Sequence, residues 1–213
     1  LQAGKGKSME LVKFFQSGGA FMYPILVVMA VGLAIAFDRL LYLSKTAKIT
    51  QKIWTQINPM LKANDFARAQ QSVADSNNPL ARVLSYGFSR FKPNVKREQI
   101  ESAMEEGVME VMPELEQRTH YLATLANVAT LLGLLGTIIG LIQAFTAVAA
   151  ADPAEKADLL SASISVAMNT TAFGLIVAIP LLLLHSYLAT RTSKLIDTIE
   201  MAAVKCSNLM VDE

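Results

Sequence analysis

Three stretches of this chain contain no Asp, Glu, Lys or Arg: 24 residues between Lys13 and Asp38, 33 between Arg118 and Asp152, and 32 between Asp158 and Arg191. A helix needs roughly 20 apolar residues to cross a bilayer. Buried helices of soluble bundles seldom run so long without a charge. The pattern therefore predicts an all-α integral membrane protein with three transmembrane helices, over 14–43, 119–151 and 159–190. The composition agrees, since 53% of the 213 residues are hydrophobic and only 17% are charged. Residues 1–8, "LQAGKGKS", carry no apolar periodicity and are read as a leader or an expression remnant.

The placement of charge predicts orientation. Of the 19 Lys and Arg residues, 12 lie from Arg39 to Arg118, three precede the first stretch, one lies between the second and third, and three follow the third. Basic residues accumulate on the cytoplasmic side. The 44–118 insert and the 191–213 tail, read as a helix, are thus expected in the cytoplasm. The hairpin 152–158 and the N-terminus are expected on the periplasmic side. The formal net charge of +1 gives no bulk attraction to nucleic acid.

The insert reads as helix. Ile100, Met104, Val108, Val111 and Met112 recur at steps of mostly three or four residues, with Glu101, Glu105 and Glu106 between them. No loop signal intervenes before Leu131, so one helix is expected from about Lys96 into the second span, bent at Pro113. Upstream, two short helices are expected on either side of "DSNNP". The seven glutamates from Glu98 to Glu116 are read as a solvated face rather than a cation site. Cys206 is the single cysteine and is read as a bystander.

Inside the spans, polar residues are few. Gly133, Gly136 and Gly140 form a small-residue stripe, the kind that lets helix backbones approach closely in lipid. Thr137 lies within it, and its hydroxyl has its own helix's carbonyl one turn back as a local acceptor. The third span carries Asn169, Thr170 and Thr171 in succession, then Gly174 and Pro180. An amide and two hydroxyls cannot all bond within one helix, so at least one is expected to face a neighbouring helix or a wet cavity, as a polar seam. Neither span offers a carboxylate, and hydroxyls do not titrate near neutral pH. If protons move here, the acid is expected from another chain. Asp38 beside Arg39 is read as an interfacial ion pair or an orientation signal, and His185, close to the cytoplasmic surface, is weighed as a titrating group but not favoured as one.

Four stretches carry a resemblance: "GGAFMYPIL" with "FDRL" in the first span, "LATLANVATLLGLLGTIIGLIQAF" in the second, "SASISVAMNTTAFGLIVAIP" in the third, and the order of one span, an insert and two spans. Together they resemble the MotA/TolQ/ExbB proton-channel family, most closely its ExbB and TolQ branch. The resemblance implies a homopentameric ring in the bacterial inner membrane. Such a ring surrounds a single-span partner, similar to ExbD or TolR, whose membrane aspartate carries the proton, and can engage a TonB- or TolA-like protein. By position, Thr137 and Thr171 match the two pore-facing threonines of the family. Val166 stands where many members have a glutamate, so a second carboxylate is absent at that position.

Other functions are weighed. A motility-type stator subunit of the same superfamily and a non-conducting membrane scaffold remain open alternatives. A self-contained transporter would need broken helices or an inverted repeat around its own substrate site. An enzyme would need a nucleophile, metal cluster or phosphate loop, and "GLLGTIIG" lies within a span rather than after a strand. The chain is therefore expected not to be an enzyme and to need no cofactor.

Overall fold

The computed structural model describes residues 18–92 and 95–211. The proposed leader, residues 1–8, and the start of the first predicted span, 14–17, lie outside them. The described residues form six helices: α1 Met22–Lys62, α2 Phe66–Ala74, α3 Pro79–Arg90, α4 Arg97–Glu116, α5 Thr119–Ala150 and α6 Lys156–Val211. Three helical stretches are long and apolar enough to cross a membrane, in α1, in α5 and in α6. The chain is an all-α, multi-pass membrane protein.

Two compact units are present: an apolar one, of the described residues up to Ala36 with His120–Ser186, and a polar one, of Phe37–Thr119 with the chain from Tyr187 onward. In the apolar unit, large residues such as Met22, Ile25, Leu122 and Leu181 are buried, but many of the inward positions are small and many large side chains face outward. Ala126, Ala129, Gly133, Ala144, Ala167 and Gly174 are buried, whereas Leu131, Ile138, Phe145, Ile176 and Leu183 are exposed. Small residues at the helix contacts with large apolar ones exposed suit a protein solvated by lipid or by further copies.

The polar unit has a conventional core. Leu61, Leu80, Leu84, Ile100, Met104 and Leu115 are fully buried there. Asn78 is the node of its upstream part. Its carboxamide oxygen accepts from the Leu80 amide at 3.0 Å, capping α3 ahead of Pro79, and from the Thr50 hydroxyl at 3.1 Å, while its amide donates to the Thr46 carbonyl at 3.3 Å. A single buried side chain thus joins the start of α3 to α1. Asp65 caps α2 in the same way, through the Arg68 amide at 3.2 Å. The two short helices expected around "DSNNP" are α2 and α3.

The helix expected to run unbroken from about Lys96 into the second span is instead two. Pro113 lies inside α4 without ending it, and the interruption falls at Gln117 and Arg118, where Arg118 takes a left-handed φ of 63°. The physical reason comes from α1. Arg39, 3% exposed, directs its guanidinium at the Glu114 and Leu115 carbonyls, so it supplies the donor that the next helical turn would have supplied. The expected Asp38–Arg39 pair is replaced accordingly, because Asp38 lies 3.6 Å from Arg118. At its far end α1 continues to Lys62, and Asn64 with φ 57° then turns the chain. The third span and the tail are likewise one helix, α6.

Several of the glutamates are engaged rather than merely solvated. Arg82 bridges Glu110 and Glu114, the latter at 2.9 Å, and the Tyr86 and Tyr42 hydroxyls donate to Glu110 and Glu114. The Tyr86 hydrogen bond, then Arg82, holds the Glu110 carboxyl below its usual range. A depressed carboxyl stabilises the fold above its unfolded pKa and ceases to do so as pH falls through the folded one. Titrating from neutral to acid should therefore loosen the α3–α4 pairing below the ordinary carboxylate range, and Glu110→Gln should remove that part of the pH dependence in amide exchange of α3. Arg39→Met should expose the end of α4, costing about 1.5–3 kcal/mol for loss of a charged hydrogen-bond donor, read as a lower thermal midpoint in detergent and faster exchange over 114–117.

Candidate functional site: a threonine pair between close-packed helices

The approach of α5 to α6 begins with glycine. A methyl group placed on Gly174 would lie 2.7 Å from the Ala129 carbonyl oxygen and 3.1 Å from the Gly133 Cα, and one on Gly133 would lie 3.3 Å from the Gly174 Cα. The two backbones therefore touch with no side chain between them. One turn along, a methyl on Gly136 would lie 2.4 Å from Thr170 Cγ2, and one on Gly140 would lie 2.9 Å from the Ala167 Cβ. Gly133, Gly136, Gly140 and Gly174 thus form one continuous seam against α6. Pro180 is exposed within α6, six residues beyond Gly174, and the helix continues through it.

Because the backbones are so close, short hydroxyl side chains reach across. Thr171 donates to the Gly133 carbonyl of α5 at 2.9 Å. Thr137 lies within 3.2 Å of that same carbonyl, one turn back on its own helix, and within 3.4 Å of the Ala167 carbonyl of α6. The two hydroxyls are also hydrogen-bonded to each other. Both residues are half-buried, so the pair is packed on one side and open on the other. Each hydroxyl has one proton and two lone pairs, and the four oxygens offer more acceptors than the two protons can use.

Thr170 does something different. It is 2% exposed, and its hydroxyl lies 3.0 Å from the Val166 carbonyl and also bonds the Gly18 carbonyl, ahead of α1. It ties the turn preceding the first span to the third. Gly19 in that turn has φ 74°, a conformation suited to glycine, and a methyl there would lie 3.3 Å from Val166 Cγ1. Val166 therefore lines the contact between that turn and α6. Asn169 is half-buried, and by helical geometry lies about 200° round α6 from Thr171. Asn169 and Thr171 thus lie on different faces of α6, with Thr170 between them. His185 is half-buried near the end of the apolar unit.

Sequence reasoning missed three contributors. The Gly133 carbonyl is the shared acceptor of both threonines, Gly18 is the acceptor of Thr170, and Gly32 of α1 admits Leu181, whose side chain would lie 2.7 Å from a methyl at that position. A helix-breaking "SGG" before the first span was the available signal for Gly18; a lone glycine in "AVGLAI" was the signal for Gly32.

Glycine-packed spans with a hydroxyl pair between them, and no Asp, Glu, Lys or Arg along the 119–151 and 159–190 stretches, define a polytopic membrane protein with a non-ionic polar contact inside its helical bundle. The chain matches the MotA/TolQ/ExbB proton channel family over residues 75–201. It is also 32% identical over 193 residues to a protein of Methanothermobacter thermautotrophicus whose own assignment is provisional, a biopolymer transport protein ExbB homolog, spanning 90% of this chain and 67% of that one. The chain belongs to the MotA/TolQ/ExbB family and is ExbB-like.

The seam gives a sharp test. Gly136→Val forces branched bulk onto Thr170 and should cost about 1–3 kcal/mol of overpacking, lowering the thermal midpoint. Thr170→Val keeps the shape but strands the Gly18 carbonyl. It should leave α5–α6 packing intact and loosen only the turn before α1, seen as increased exchange there.

Proposed function

We propose that this chain is a ring-forming subunit of a proton-motive-force-driven energy transducer in the inner membrane, with its N-terminus periplasmic and its C-terminus cytoplasmic. It conducts protons together with a single-span, ExbD- or TolR-like partner that brings a membrane aspartate, and passes the work to an envelope machine, as a TonB- or TolA-like protein would receive it. The expected assembly is a homopentamer. The chain is a channel subunit rather than an enzyme and uses no cofactor. The observation that carries this reading is the half-buried Thr137–Thr171 pair, set in family spans that supply no carboxylate of their own.

The chemistry follows from the hydrogen-bond inventory. An ionised carboxylate at the bilayer centre costs roughly 3 kcal/mol or more. When a carboxylate approaches the open side of the pair, the two hydroxyl protons, shared among the backbone carbonyls and the neighbouring hydroxyl, can turn toward it. When the carboxyl is protonated, it donates to a hydroxyl lone pair instead, and the threonine protons return to the backbone. The same two residues therefore hold both protonation states without carrying charge. A proton crossing about 150 mV releases roughly 3.5 kcal/mol, enough to move a two-state helix contact from one arrangement to another.

Val166 sharpens the reading. With valine in the position where many relatives place a glutamate, the partner's acid is the sole carboxylate of the pathway at that level, and the titration governing flux is expected to be a single one. In cells depending on the transducer, Thr171→Val and Thr137→Val should each lower proton-driven activity by an order of magnitude or so while preserving assembly, and Thr171→Ser should retain most of it. Full activity in both valine variants would remove the pore role.

A further inference from the structure

Outside the threonine site, the polar unit contains a groove of about 550 Å³ between α4 and the last turns of α6. Met109 and Val204 are exposed along it, at 68% and 52%, and Glu101, Glu105 and Glu200 rim it. Among the described residues, neither Glu105 nor Glu200 has a salt-bridge partner, while Glu101 is held by Arg97 and the Ser207 hydroxyl. An apolar, methionine-bearing floor with an unpaired acidic rim fits an amphipathic helix whose polar flank is basic.

Among the described residues, α1 presents such a surface. Along α1, Leu41, Lys45, Lys48, Ile49 and Lys52 are exposed on one side of the helix, and no acidic residue lies between Leu41 and Lys52. The lysines likewise have no salt-bridge partner among the described residues. The levels also correspond. Asp38 pairs with Arg118 and Tyr42 with Glu114, so α1 descends as α4 ascends. Equal steps from that pair bring the Lys45–Lys52 stripe level with the 104–111 part of α4, where the groove lies. Copies of a membrane protein share one orientation, so a ring closes about an axis along the membrane normal and residues at equal level meet.

We infer that the groove between α4 and α6 receives the Leu41–Lys52 face of α1 from the next copy of this chain, as a head-to-tail contact repeated around the ring. The inference rests on the ring proposed above and assigns its subunit contact. Lys48 and Lys52 meet the level of Glu105 and Glu200, and Ile49 covers the methionine floor. Because the two patches differ, the contact is heterologous, and closure of the ring rather than a two-fold dimer follows from it.

Cysteine cross-linking in native membranes tests this. The double variant Lys48→Cys with Met109→Cys should give, on oxidation, a ladder of covalent multimers of this chain, whereas each single variant and the wild-type chain with its buried Cys206 should remain monomeric on a denaturing gel. Glu105→Lys should lower the ring fraction in native mass spectrometry, and Lys52→Glu added to it should restore the ring. A ring that persists intact while the double variant gives no ladder would overturn the assigned contact and leave the ring reading standing. So would self-cross-linking of Met109→Cys alone, which reports a two-fold contact, or its capture of the co-expressed single-span partner, which reports a different occupant. A wild-type chain that stays monomeric by native mass spectrometry would instead overturn the ring itself.

Discussion

The contact of Gly133 with Gly174 is what the rest of the site depends on. With no side chain at either position, the α5 and α6 backbones approach closely enough for a hydroxyl on a single carbon to cross between them. Thr171 reaches the Gly133 carbonyl, Thr137 shares that carbonyl, and the two hydroxyls meet. In lipid, hydrophobic burial gives little drive for helix association, so packing of this kind and the hydrogen bonds it permits are the available stabilisation. A larger residue in the seam would separate the helices and remove the hydroxyl contact in the same step. Structure and proposed function therefore share one determinant.

Charge is segregated accordingly. The two spans that hold the threonines contain no Asp, Glu, Lys or Arg, while the polar unit is built on ionic contacts such as Arg82 with Glu110 and Glu114. Arg39 marks the transition. Its stem is buried and its guanidinium ends α4 at the Glu114 and Leu115 carbonyls, which allows Arg118 to turn the chain before α5 begins. An arginine at that point keeps its charge under almost all conditions, so the break between α4 and α5 is built to persist.

Much of this was legible in the chain itself. Long uncharged runs dictate spans because water is absent from the bilayer core, and that signal is local and strong. The short helices on either side of "DSNNP" were legible for the same reason, since Asn78 and Pro79 act on the adjacent backbone. The glycines announced close packing, and two neighbouring threonines announced a contact beyond their own helix. Arginine has no preference for the left-handed conformation that Arg118 adopts, and the donor that ends α4 comes from a residue 75 positions away. Nothing near Gln117 could have signalled the break. The sharing of the Gly133 carbonyl was hidden for a similar reason: a backbone acceptor has no sequence signature, and only the approach of α6 makes it available to Thr171.

In the proposed function, this chain contributes hydroxyls and packing to a proton path whose acid belongs to a partner. The most direct measurement is proton flux into vesicles carrying a defined membrane potential, with the purified chain alone, with its single-span partner, and with the partner's membrane aspartate changed to asparagine. Flux is predicted only for the complex with the intact aspartate. Comparable flux through the chain alone, or through the asparagine complex, would mean that the path does not need a partner's acid and would contradict the claim.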